Sequence, residues 1–141
     1  MRGRMDSLIR LHRWQLDEKR RNLADLENMR ADFENRFRQL DEELEQEKAA
    51  ASSDPDTTYG FSDFVAAVSA RKHALQMSID EIDKEIDTAR RDVEDAMQEL
   101  KKLETVEDRR QKERRAETER REQQTLDDMA LDRFRRRAAG E

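Results

Sequence analysis

The residues in this sequence best suited to chemistry are two histidines, His12 and His73, and a large supply of carboxylates. A zinc site needs three or four soft or nitrogen ligands brought together, and the chain has no cysteine to join its two histidines. A carboxylate becomes a useful general acid or base only where a pocket strips water from it. No Walker-type glycine-rich loop, no Gly-x-Ser-x-Gly turn and no His-Glu-x-x-His pair occurs. The expectation is therefore a protein that is not an enzyme and takes no metal and no cofactor. Trp14, beside Leu11 and Arg13, fits a membrane-surface anchor, but Asp17 and Glu18 follow at once. A seam end or a partner contact is the better reading of it.

Composition sets what elements could position any of these side chains. Of 141 residues, 45% are charged and 34% hydrophobic, with three glycines and one proline. That is too little apolar material for a globular core, which leaves disorder or long charged helices with a narrow apolar seam. The absence of cysteine excludes disulfides and fits a reducing compartment. The longest apolar run, around Val65 to Val68, falls far short of the roughly 20 residues a membrane span needs, so no span is expected. Residues 1–13 lack the continuous apolar stretch of a secretory signal.

Periodicity decides for helices. Met5, Ile9, His12, Leu16, Lys19, Leu23, Leu26, Arg30, Phe33, Phe37, Leu40 and Leu44 form one stripe at alternating spacings of four and three. The stripe stops in a run of small residues, Ser, Asp and the single proline, where Asp54 with Pro55, or Ser62 after Gly60, could cap the next helix. It resumes as Val65, Val68, Lys72, Leu75, Ile79, Ile82, Ile86, Ala89, Val93, Ala96, Leu100 and Leu103. A four-three repeat held this long is a coiled-coil heptad. Two seams of nearly equal length flanking one turn should fold back on each other, each arm about 60 Å long at 1.5 Å per residue. The expected fold is all-α: a long antiparallel two-helix coiled-coil hairpin forming a single domain over residues 1–141. Helix one covers about 5–50, the turn about 51–60 and helix two about 61–136, extending beyond helix one. Residues near Leu40 should lie beside residues near Val68, and residues near Ile9 beside those near Leu100. Lys19, Arg30 and Lys72, polar within the seam, are candidates for setting register.

Beyond about residue 106 the second helix should be unpaired. From Glu107 to Thr125 the sole aliphatic residue is Ala116, and Glu and Arg at spacings of three and four can support the helix through side-chain pairs. Apolar residues then return at Leu126, Met129, Leu131 and Phe134, rimmed by Arg133, Arg135, Arg136 and Arg137. An apolar patch on a charged helix is what a docking segment needs. The basic cluster Arg109, Arg110, Arg114 and Arg115 is a second candidate contact. Residues 1–21 carry seven basic and three acidic side chains, whereas residues 34–47 carry two basic and six acidic, so the hairpin is dipolar. The formal net charge of −6 argues against a dedicated nucleic-acid binder.

Residues 6–21, Asp-Ser-Leu-Ile-Arg-Leu-His-Arg-Trp-Gln-Leu-Asp-Glu-Lys-Arg-Arg, and residues 120–130, Arg-Arg-Glu-Gln-Gln-Thr-Leu-Asp-Asp-Met-Ala, resemble the flagellar type III export proteins of the FliJ family. The resemblance covers nearly the whole chain, since two long helices with an extended second helix are also the family's architecture. It implies a stalk-like part of the flagellar export apparatus, coupling an export ATPase ring to the cytoplasmic part of the membrane export gate. Export chaperones are further implied partners, and the implied location is cytoplasmic, peripheral to the inner membrane at the flagellar base. Matched by spacing, the gate contact would involve Phe64, Val68, Arg71 and Leu75. The alternatives are a generic coiled-coil tether, the equivalent stalk of a virulence secretion system, or a binder of nucleic acid or anionic surfaces through the arginine clusters.

Overall fold

The computed structural model describes residues 3–53 and 59–140. It contains two helices packed against each other: α1, Arg4–Ser53, of 50 residues, and α2, Phe61–Ala138, of 78 residues. Both run slightly longer than the heptad pattern suggests, because charged and alanine-rich flanks are good helix formers in their own right. Most of the expected turn, residues 54–58, lies outside the described residues, and so does a cap at Asp54 with Pro55.

Ser62 is not the cap of α2. The Phe64 amide donates to the Gly60 carbonyl at 3.0 Å, which makes Gly60 the residue that opens the helix. Gly60 has φ of +86°, in the left-handed region that glycine enters without penalty. Nothing lies near enough to obstruct a side chain there, so it is the backbone angle that calls for glycine. Asp63 in the first turn suits the positive end of the helix dipole, and Arg135, Arg136 and Arg137 in the last turn suit the negative end. Gly140, with φ of +80°, follows the end of α2 and donates its amide to the Arg137 carbonyl at 3.2 Å. At the end of α1 the Ser52 and Ser53 hydroxyls donate back to the carbonyls of Lys48 and Ala50.

Contacts gather the chain into two units: Arg13–Met97, and Met1–His12 together with Gln98–Glu141. In the first of these, ion pairs join the helices. Asp41 pairs with Lys72, Arg30 with Asp83, and Glu27 with Arg90 at 3.7 Å. As the α1 position falls from 41 through 30 to 27, the α2 position rises from 72 through 83 to 90, so the helices run antiparallel. The buried apolar side chains here are Leu16, Val68, Ile79, Ile82, Ile86, Ala89 and Ala96, all on the expected stripes. In the second unit Ile9 is buried, while Met5, Leu100 and Leu103 are half-buried.

Register and one seam position differ from expectation. Asp41, next to Leu40, meets Lys72 rather than the level of Val68, so the offset is about one helical turn. Equal seam lengths constrain the ends of a hairpin only loosely, and it is the charged partners that settle the offset. Lys19, although on the stripe, is exposed, because a lysine stem can lie along the seam while its ammonium stays in water.

Candidate functional site

Among the described residues no polar or charged side chain is buried, and no group of three or more His, Cys, Asp and Glu could hold a metal. The described carboxylates are exposed or half-buried. Among the described residues no helix is long and apolar enough to cross a membrane. What remains is surface, and the two units present different ones.

In the unit that includes Gln98–Glu141, every residue from Asp108 to Gly140 is exposed. Without a partner helix, this stretch is supported by pairs within itself. Lys112 pairs with Asp108 at 3.2 Å, Arg121 with Glu117 at 2.8 Å and Arg136 with Asp132 at 3.6 Å, all four residues apart. Arg109, Arg110, Arg114 and Arg115 are exposed, and their acidic neighbours Asp108 and Glu117 are engaged with Lys112 and Arg121. Further along, Leu126, Met129, Ala130, Arg133, Phe134 and Arg137 line one shallow groove. Their spacing of three and four puts them on one face of α2. Leu126 is 60% exposed, Met129 54% and Phe134 70%, so this apolar face is open to solvent. Leu131, also exposed, is not part of the groove. Sequence reading found the three large apolar residues and the arginine rim. It missed Ala130, whose small side chain forms the floor between two larger neighbours and carries no signal of its own.

In the Arg13–Met97 unit, the residues matched to a gate contact part company. Val68 is the most enclosed large side chain, at 1% exposure, and belongs to the seam. No partner can reach it while the helices stay packed, which removes it from a surface contact. Leu75 is half-buried in the same stripe, Phe64 is half-buried, and Arg71 is exposed. Trp14 and Met77 are about as open as Leu126, and Tyr59, Met29 and Met97 are exposed as well.

The cross-helix charges are structural. The Arg30 guanidinium donates to Asp83 and to Glu34, and these hydrogen bonds, the one to Asp83 foremost, raise its pKa above the ordinary arginine value. Lys72 reaches Asp41 and also lies 4.9 Å from the centre of the Phe37 ring. Each of the α1 carboxylates involved stands one residue after a seam position: Glu27 after Leu26, Glu34 after Phe33 and Asp41 after Leu40. On α2, Asp83 and Arg90 follow Ile82 and Ala89 in the same way. That is the heptad flank that bonds across a coiled coil, so the signal was present in the repeat.

A family model described as flagellar FliJ protein matches residues 1–139. The chain belongs to the flagellar FliJ family. Membership makes it a flagellar, export-related coiled-coil protein. No curated protein and no solved structure matches it.

Proposed function

We propose that this FliJ-family chain is a non-enzymatic, stalk-like component of flagellar type III export that couples an export ATPase ring to the cytoplasmic part of the membrane export gate. The observation that carries the reading is the apolar groove at Leu126, Met129 and Phe134 on a stretch of α2 with no partner helix. Such a face gains nothing within the chain, and covering it would bury apolar surface at about 25 cal/mol per Å². Its arginine rim suits an acidic protein partner. The groove is assigned to the ring, with Arg109, Arg110, Arg114 and Arg115 extending that contact along α2. The gate contact is assigned to Phe64, Arg71 and Leu75, and export chaperones are further partners. The place of work is then the cytoplasmic side of the inner membrane at the flagellar base.

The test is binding of the full chain to the export ATPase ring. Leu126→Glu with Phe134→Glu should abolish binding while leaving helix content and melting unchanged. Normal binding by that variant would move the contact elsewhere, first to the basic stretch of residues 2–21.

A further inference from the structure

The unit that holds the start of α1 has a weaker seam than the Arg13–Met97 unit. Its seam positions are Met5, Ile9 and His12 on α1, and Leu100, Leu103 and Glu107 on α2. Glu107 stands four residues after Leu103 and so continues the repeat. Ile9 is buried, and the other five are half-buried. Two of these positions, His12 and Glu107, are polar, and a polar side chain in a coiled-coil seam costs stability. The Arg13–Met97 unit, by contrast, keeps a run of apolar side chains buried, from Leu16 and Ala96 to Ile82 and Val68.

Separation of this seam would fall unequally on the two helices. Residues 4–12 are the free end of α1, and Asp6, Ser7, Ile9 and His12 among them are weak helix formers. Without packing, little keeps such an end wound. On α2 the same level lies inside a helix that runs on to Ala138. Lys102 pairs with Glu99 at 3.2 Å, Gln111 donates to Glu107 at 3.4 Å, and Lys112 pairs with Asp108 at 3.2 Å, all within α2.

We infer that residues 4–12 of α1 form a latch that opens on its own: they leave the seam and unwind while α2 stays helical and the Arg13–Met97 unit stays closed. The closed seam begins at Leu16 and Ala96, both buried. Opening bares Ile9, Leu100 and Leu103 and releases Arg4 and Arg10, so the basic start of α1 alternates between a docked and a free form. The latch does not depend on which partner the α2 groove takes.

Ile9 is 7% exposed, Leu16 5% and Ile82 5%, so the closed structure alone gives three equally shielded positions. The chain has no cysteine, so a single introduced thiol reports its own position. Ile9→Cys, Leu16→Cys and Ile82→Cys are made separately in the full chain and treated with a maleimide under native conditions. The thiol of Ile9→Cys should react at least about 100-fold faster than the other two, because it needs only local opening. Hydrogen exchange on the unaltered chain tests the same point without a substitution in the seam. Amides of residues 6–12 should exchange at least about tenfold faster than those of 98–107. His12→Leu with Glu107→Leu should slow exchange in residues 6–12 and leave residues 79–89 unchanged. Equal labelling of all three thiols means that the hairpin opens as one body and overturns the proposal. So does a thiol in Leu16→Cys that reacts as fast as the one in Ile9→Cys, equal exchange in 6–12 and 98–107, or unchanged exchange in 6–12 once positions 12 and 107 are both leucine.

Discussion

At the scale of single residues, burial ranks the seam. Ile82 is 5% exposed, and Ile82→Ala should cost about 2–4 kcal/mol, seen as a fall in the thermal midpoint. Leu26 is only half-buried, so Leu26→Ala should cost distinctly less in the same experiment. Equal losses at the two sites would mean that exposure does not measure packing in this seam. Arg30 makes a different case. Its raised pKa favours the folded state at every pH below the unfolded value and is lost only as pH climbs through the folded one. That window is strongly alkaline, so the melting midpoint should show no contribution from Arg30 titration across the neutral range. Replacing it by leucine should hold or raise the midpoint, since an apolar residue suits its seam position and a partly exposed ion pair stabilises little. The legible part of the sequence at this scale was the stripe: eleven of its twelve α1 positions and all twelve on α2 are at least half-shielded. What escaped was Lys19, whose flexible stem lets a seam residue remain wet, whereas Val68 is buried as its place in the repeat requires.

At the scale of elements, both helices were readable because a 3.5-residue repeat identifies a helix and its buried face together. Their ends were less so. Caps depend on backbone angles that several residue types could satisfy, and here Gly60 took the place that Ser62 might have held. Gly60→Ala forces a side chain into the left-handed region and should cost about 1–2 kcal/mol, read from denaturant unfolding. An unchanged midpoint would show that the segment before α2 can relax to another angle. Offset between the helices was also beyond the pattern. A heptad seam admits slips by whole repeats, and only named charges separate one from the next. A slip that brought Arg30 level with Arg90 would bring Lys72 level with Lys48, replacing two attractions with two repulsions. Cross-linking of cysteines placed at Asp41 and Lys72 within one chain, and not between chains, would verify the offset.

At the scale of the whole molecule, the chain divides its labour along its sequence. Residues 13–97 hold nearly all of the enclosed apolar surface, while residues 108–140 hold none. Deleting residues 107–141 should therefore leave the melting midpoint almost unchanged and remove partner binding. A collapse of the remainder on truncation would make that stretch structural after all. The candidate site was half legible for the same reason. An apolar cluster on a charged helix stands out in any sequence, and the loss of the seam after Leu103 already left it without a partner helix, but the part that Ala130 plays in the groove carries no signal in the repeat.

The ion pairs between the helices of the Arg13–Met97 unit fall along a single edge of the seam. Asp41, Asp83, Glu27 and Arg90 all occupy the heptad position just after the second seam residue, and Arg30 and Lys72 reach toward that side. The opposite edge carries Phe64, Arg71, Asn22, Glu85 and Asp92, and there a furrow opens over Leu26 and Ala89. The two long edges are thus chemically unlike. The furrow lies clear of the salt bridges that join the two helices, whereas the other edge is covered by guanidinium and ammonium groups engaged with carboxylates. The same two-helix seam therefore shows charge locked in pairs along one edge and an open, partly apolar furrow along the other.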